Sequence, residues 1–201
     1  MAASAPPPTM FVLAGPNGAG KTTFYRHRLA GRLDAEFVNA DELALKTFGH
    51  VAKTIEESAE GQRLADLRRQ ELIEAGEDIV VETTFSHPSK LDLLQAARKR
   101  GYRIVVYHLN VEDADMAVRR VRGRVRQGGH PAPEDRVRAR YDRNQPLIRS
   151  AVLSAERAEV FDSSGFGQAP RLLITFSAGK AAEVADNLPD WAISLYGGDL
   201  P

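Results

Sequence analysis

The sequence predicts an α/β domain with a mostly parallel β-sheet sandwiched between helices on both faces. Short apolar, β-branched runs alternate with longer stretches of helical periodicity along the chain. Of its 201 residues, 43% are apolar, which is enough for one domain of ordinary size with a substantial core. No stretch has the composition of an interdomain linker. We therefore expect a single domain over residues 10–201, preceded by a disordered, proline-containing lead-in over residues 1–9.

The first half of the chain begins with an apolar run, MFVLAG, typical of a buried strand. In order, the pattern predicts a strand at 10–15, a helix at 21–33, a strand at 36–41, a short helix ending at Gly49, a long helix at 54–75 and a strand at 78–85. Gly76 is typical of a helix C-terminus, and Gly61 is a weak point inside the long helix.

The second half continues the alternation but contains two breaks. Its predicted elements are a helix at 88–101, a strand at 102–111, a helix at 112–127, the break GGHPAP, a helix at 134–158, strands in EVFDSSG and RLLITFSAG, and a last helix at 181–188. Pro146 predicts a kink or an interruption in the helix that contains it.

Charge and cysteine content exclude several classes of protein. Lys plus Arg equals Asp plus Glu at 27 each, which argues against a general nucleic-acid or membrane-surface binder. There is no cysteine, so disulfide frameworks and thiolate metal sites are excluded. The chain has neither a run long enough to span a membrane nor a secretory signal, and we expect a cytoplasmic protein.

The segment GPNGAGKTT, between the first strand and the first helix, matches the phosphate-binding pattern G-x-x-x-x-G-K-[ST]. Backbone N–H groups of such a loop curl around a phosphate, and the following helix directs its positive end at the anion. Lys21 can reach the β- and γ-phosphates, and the Thr22 hydroxyl can hold Mg²⁺. The predicted nucleotide-binding residues are Gly15, Pro16, Asn17, Gly18, Ala19, Gly20, Lys21, Thr22 and Thr23.

Two acidic residues follow predicted strands at the edge where open α/β sheets bind ligands. Asp41 can accept a proton from an attacking hydroxyl, and it can equally cap the helix that begins there. Glu82 can coordinate Mg²⁺ through water or bind a substrate hydroxyl, and the alternative is an acid paired with a neighbouring arginine. Thr83 and Thr84 add hydroxyl groups at the same edge, so these three residues are candidate substrate contacts.

The loop motif alone does not distinguish a kinase from a GTPase switch or a motor. No N-K-x-D pattern follows it, which weakens the hypothesis of a GTPase switch. No apolar run ending in Asp-Glu follows either, which weakens that of a motor or transporter ATPase.

An arginine-rich segment around residues 119–143 predicts two helices joined by GGHPAP, which resemble a hinged lid. Lid arginines neutralise a migrating phosphoryl group and exclude water from the site. The alternative is a solvated helix pair held by surface ion pairs. His130 in the turn is either a phosphate or substrate contact or a plain polar turn residue.

Five segments together resemble the zeta-toxin family of P-loop kinases, in particular its short bacterial branch. They are GPNGAGKTTF, FVNADELA, VVETTFSH, GYRIVVYHL and RVRQGGHPAPEDRVRARYDRN, and the resemblance extends over most of residues 10–165. It implies a fold like that of nucleoside-monophosphate kinases and the transfer of phosphate from ATP or GTP, with Mg²⁺, to a hydroxyl of UDP-N-acetylglucosamine. It also implies a separate antitoxin protein as partner.

The resemblance assigns catalytic roles to Lys21, to Asp41 as the base, and to lid arginines at Arg126 and at Arg138 or Arg140. Two alternatives remain open. One is a P-loop kinase of another small-molecule hydroxyl, such as a nucleoside, a dinucleotide or an antibiotic. The other is a nucleotide-dependent binding module without catalysis.

Overall fold

Strands and helices alternate along the chain in the computed structural model, which describes residues 6–129 and 132–201. The strands are β1 (Thr9–Ala14), β2 (Glu36–Val38), β3 (Ile79–Thr83), β4 (Arg103–Asn110), β5 (Arg157–Asp162), β6 (Arg171–Ser177) and β7 (Lys180–Val184). The helices are α1 (Lys21–Phe24), α2 (Ala40–Phe48), α3 (Ile55–Ala75), α4 (Ser89–Lys99), α5 (Ala114–Arg126), α6 (Glu134–Ser154) and α7 (Asp190–Tyr196). A π-helical turn, Tyr25–Leu29, continues α1, and a 3₁₀ turn, Gly197–Asp199, follows α7.

One sheet contains these strands in the order β2-β3-β1-β4-β5-β6-β7. The strands from β2 to β5 are parallel, whereas β6 and β7 add to one edge in antiparallel orientation. The predicted fold class is confirmed: this is a P-loop kinase-like α/β fold with a mostly parallel sheet between helices.

The predicted last helix over residues 181–188 is wrong. Residues 180–184 form β7, which pairs with β6 from Ser177↔Lys180 onward. Ala178 and Gly179 connect the two strands, and both have positive φ (47° and 76°), as the two central residues of a type I′ hairpin turn require. Strand pairing therefore overrides the helical propensity of the alanines, and the helix begins later, at Asp190.

Two other boundaries differ from the prediction. The helix predicted over 134–158 ends at Ser154, because Arg157 and Ala158 already belong to β5. It also continues through Pro146 without interruption. Pro146 and Asp142 are both exposed, so the carbonyl that loses its helical donor faces water.

The amino-terminal end of the sheet lies earlier than predicted. Arg103 N donates to the Pro8 carbonyl at 2.8 Å, and β1 begins at Thr9, so residues 8 and 9 belong to the sheet edge rather than to the predicted lead-in. Residues 1–5 of that lead-in lie outside the described residues.

Apolar side chains cover both faces of the sheet. Along β1, Met10 and Val12 belong to one buried cluster, while Leu13 belongs to a second cluster with Phe24 on the opposite face. This explains why the strand is a continuous apolar run, as expected for a strand buried on both sides. A third, smaller cluster, which includes Val121 and Tyr141, lies between α5 and α6 and joins them as a pair.

Candidate active site

A cleft opens at the carboxyl ends of β1, β2 and β3, which lie side by side and parallel. Its lining comes from residues 17–24, the ends of β2 and β3, α2, α3, the α5–α6 pair and the loop after β5. The volume is about 2130 Å³. Because a pocket for one small ligand measures roughly 300–1,000 Å³, this cleft has room for a nucleotide and a second substrate.

The loop between β1 and α1 has the conformation that its glycines permit. Gly15, Gly18 and Gly20 all have positive φ, at 146°, 81° and 83°. A Cβ at Gly15 would lie 2.0 Å from the Leu109 carbonyl oxygen, so this glycine allows β1 to pack beside the end of β4. A Cβ at Gly20 meets nothing within 4 Å, so this position faces open space, where a phosphate can approach the backbone.

Lys21, the first residue of α1, is buried beneath the loop. Its ammonium group donates to the carbonyl oxygens of Gly15 and Pro16, each at 3.0 Å, and lies 3.8 Å from Glu82 Oε1. Burial lowers the pKa of Lys21, the Glu82 carboxylate partly opposes this, and nearby Arg124 adds to it. An incoming phosphate would give this desolvated cation a strong counter-charge.

Glu82, at the end of β3, connects the loop to the start of α2. Its Oε2 accepts hydrogen bonds from Thr22 Oγ1 at 2.8 Å and from Asn39 Nδ2 at 3.0 Å. The partners of Glu82 are thus the loop residues Lys21 and Thr22 and the amide of Asn39, and no ion pair between Glu82 and an arginine occurs in the part of the chain described.

Asp41 lies in the first turn of α2, with its residue exposed at the cleft wall. The helix cap is Asn39 rather than Asp41, because Asn39 Oδ1 accepts from the backbone N–H groups of Asp41 (2.9 Å) and Glu42 (3.1 Å). The structure thus leaves the Asp41 carboxylate without a capping role, at the exposed wall of the cleft.

Four threonines of the loop helix and of the end of β3 also line the cleft: Thr22, Thr23, Thr83 and Thr84. Thr83 Oγ1 accepts from Phe85 N at 3.0 Å, which holds the turn after β3. The Thr84 carbonyl accepts from Asn144 Nδ2 of α6 at 2.7 Å, which joins that turn to the arginine-bearing helix. Thr23 lies beside Thr22 at the cleft surface.

The arginine-bearing helices present only some of their arginines to the cleft. Those that line it are Arg119, Arg120, Arg124, Arg136 and Arg140. Of the predicted lid residues, Arg140 is among them, whereas Arg126 and Arg138 are not. Arg138 pairs with Asp115 on the outer surface, and Arg126 follows Arg124 by about 200° around the helix axis. His130 lies outside the described residues.

Sequence reasoning missed several residues of the cleft, among them Asn39, Arg120 and Arg124. Asn39 could have been found, because an asparagine just before an acidic first turn is a helix-cap signal. Arg120 and Arg124 carried no signal that separates them from their neighbours. Arg120 Nη2 donates to the Ser163 carbonyl at 2.5 Å and so joins α5 to the loop after β5. Burial lowers the pKa of Arg120, and the Asp162 carboxylate partly opposes this.

Comparison with protein families gives one match. The model of a family described as an AAA domain, AAA_33, matches residues 10–147, which include the loop, Asp41, Glu82 and the arginines of the cleft. The chain belongs to this family. Membership agrees with the P-loop and with the sheet order around it. No curated protein sequence matches the chain.

Solved structures share the fold at low sequence identity. A chain of the AvrRxo1-ORF1:AvrRxo1-ORF2 complex with sulphate ions has a TM-score of 0.68 and 19% identity, over 96% of this chain and 63% of that chain. A chain of the same complex with ATP has a TM-score of 0.68 and 20% identity. A chain from the PezAT toxin–antitoxin system of Streptococcus pneumoniae has a TM-score of 0.55 and 16% identity, over 80% of this chain and 69% of that chain. This chain thus spans less than two thirds of the AvrRxo1 chain that it matches. No helix of the described residues has the length and apolar character needed to cross a membrane.

Proposed function

We propose that this protein is an ATP- or GTP-dependent small-molecule kinase of zeta-toxin type, which phosphorylates a hydroxyl of a sugar nucleotide such as UDP-N-acetylglucosamine. The observation that carries the proposal is the cluster of Lys21, Thr22 and Glu82 under the loop, with the exposed carboxylate of Asp41 in the same cleft. This is the set of groups that phosphoryl transfer requires: a phosphate cradle, a cation, a metal-binding pair and a base.

The loop and Lys21 bind the triphosphate. Backbone N–H groups of residues 17–20 surround the phosphates, and Lys21 exchanges the carbonyls of Gly15 and Pro16 for phosphate oxygens. Thr22 and Glu82 fit Mg²⁺, a cation that prefers oxygen ligands and keeps several waters. Bound Mg²⁺ would neutralise charge on the β- and γ-phosphates.

Asp41 and the cleft arginines act on the acceptor and on the migrating group. Asp41 takes the proton of the acceptor hydroxyl as its oxygen bonds to the γ-phosphorus, and the bond between that phosphorus and the bridging oxygen breaks to release the nucleoside diphosphate. Arg124 and Arg140 stabilise the charge on the phosphoryl group between the two oxygens. Closing the cleft with α5 and α6 excludes water, which would otherwise compete as acceptor.

The sugar-nucleotide acceptor rests on the resemblance of the five sequence segments to zeta toxins. Two structural neighbours support the wider context: one complex was solved with ATP, and PezAT is a chromosomal toxin–antitoxin system. A separate antitoxin that binds this chain is therefore part of the proposal. The volume of the cleft is consistent with a nucleotide beside a bulky acceptor.

The test is incubation with γ-labelled ATP, Mg²⁺ and a desalted metabolite extract, followed by mass identification of the labelled product. We expect labelled UDP-N-acetylglucosamine, and we expect Lys21→Ala to abolish labelling. Lys46→Ala is the matched control, because Lys46 is exposed on α2 and does not line the cleft. A different labelled metabolite would replace the acceptor in the proposal. Tight nucleotide binding without any labelled product would instead favour the binding module.

A further inference from the structure

Arg69 of α3 is a buried cation that the proposed mechanism does not use. Only 4% of the residue is exposed, yet it contributes to the lining of the cleft. Its Nη1 donates to Asp66 Oδ1 one turn earlier, while its Nε is buried with no hydrogen-bond partner among the described residues. Because a buried donor without a partner is unfavourable, its presence in a cleft wall points to a ligand that completes its bonding.

The surroundings of Arg69 are short of negative charge. Lys90 of α4 also lines the cleft, and its Nζ lies 3.7 Å from the same Asp66 Oδ1. Gln62 Nε2 donates to that oxygen as well, at 3.0 Å. Two cations and an amide therefore share one carboxylate oxygen, and the carboxylate itself is 55% exposed and does not line the cleft. The part of the cleft wall formed by Arg69 and Lys90, which we call the corner, is therefore net positive.

This corner lies on the acceptor side of the cleft. Helix α3 crosses α2 at Gly61, where a Cβ would lie 2.6 Å from the Ala40 carbonyl oxygen, next to Asp41. Arg69 follows at about 12 Å along the helix, at ~1.5 Å per residue. A group bound there would be on the order of 10 Å from the hydroxyl beside Asp41, which is within the length of a sugar phosphate or a larger metabolite.

We propose that Arg69 and Lys90 bind an anionic group of the acceptor, a phosphate or a carboxylate, at the end away from the reacting hydroxyl. This rests on the proposed function. The planar guanidinium of Arg69 can bind either anion through two nitrogens, and Lys90 adds a compact charge. A neutral acceptor would leave Arg69 Nε without a partner, so the corner selects against neutral sugars and nucleosides.

The experiment first saturates the nucleotide-binding loop and then measures anion binding at the corner. The full chain is saturated with Mg²⁺ and a non-hydrolysable ATP analogue, and inorganic phosphate or acetate is then titrated in separate calorimetric arms. We expect one or both anions to bind, and Arg69→Met and Lys90→Met each to weaken that binding by about tenfold or more. Arg63→Met should stay within twofold, because Arg63 is exposed on the same helix and paired with Glu60.

Each outcome has one meaning. Binding of phosphate alone identifies a phosphate, and binding of acetate alone identifies a carboxylate. Absence of anion binding to the nucleotide-loaded chain, or equal binding by the wild type and the variants, overturns the inference and leaves the kinase proposal intact. Failure of the ATP analogue to bind in the first step contradicts the proposed function itself. If Arg69→Met does not fold, Lys90→Met alone decides.

Discussion

Replacing Glu82 with glutamine should destabilise the ligand-free chain by about 2–3 kcal/mol. The carboxylate accepts from Thr22 and Asn39, and neutralising it weakens these two bonds by about 1 kcal/mol each. It also lies 3.8 Å from the Lys21 ammonium. Two unit charges at that distance attract by about 4 kcal/mol at an effective dielectric constant of 20, and much of this is offset because an amide is easier to bury than a carboxylate.

A double-mutant cycle with Lys21→Met isolates the ion pair. Urea unfolding followed by circular dichroism gives the free energy of unfolding of the wild type, both single variants and the double variant. We expect a coupling energy of about 1–2 kcal/mol between Glu82 and Lys21. The control Glu71→Gln, at an exposed carboxylate on α3, should change stability by less than about 0.5 kcal/mol. A coupling below about 0.3 kcal/mol would refute the view that Glu82 stabilises the buried lysine.

Three further predictions concern the base, the arginines and pH. Asp41→Asn should keep the stability and nucleotide affinity of the wild type but lose about 100-fold or more in turnover in a coupled kinase assay, and undiminished turnover would exclude Asp41 as the base. Arg140→Met should lower turnover by about tenfold or more, while Arg138→Met should stay within twofold; equal losses would contradict the assignment of Arg140 to the cleft. Burial, assisted by a nearby lysine, lowers the pKa of His108 from 6.5 to about 3. The unfolded chain therefore binds a proton in that window that the folded chain does not, and stability should fall by about 1.4 kcal/mol per pH unit as pH decreases from 6.5 to 3. In acid titrations of unfolding, His108→Asn should remove this slope and exposed His27→Asn should not.

The phosphate-binding loop was predictable because its requirements are local. Gly15, Gly20, Lys21 and Thr22 occur at fixed spacing between an apolar run and a helical pattern, and the structure has that strand–loop–helix order. The π-helical turn after Phe24 was not predictable, since a local change of helical hydrogen bonding leaves little trace in residue periodicity.

The sequence predicts only in part which arginines of α5 and α6 face the cleft. Their number and the two helices follow from the sequence, but which arginine lines the cleft depends on the rotation of each helix about its axis. The small apolar cluster of Val121 and Tyr141 between α5 and α6 sets that rotation. It turns Arg140 toward the cleft and Arg138 toward Asp115.

The chemistry at Arg69 has no sequence signature at all. An arginine within a charged helix is ordinarily a solvated residue. Only 4% of the residue is exposed because α3 packs against α2, β2 and β3, and such packing between elements cannot be read from the residues around Arg69. Pairing between elements also decided β7, where the hairpin with β6 outweighed local helical propensity.

The carboxyl-terminal strands and helix extend the core beyond the matched segment 10–147. Leu173, Phe176 and Tyr196 belong to the same buried cluster as Met10, and the Tyr196 hydroxyl bonds to the buried His108 Nδ1 at 2.8 Å. A chain shortened to the matched residues would lack β5 and uncover the edge of β4 together with this apolar surface. Recombinant fragments cut at that limit should therefore precipitate, and the smallest version that folds must extend through Tyr196.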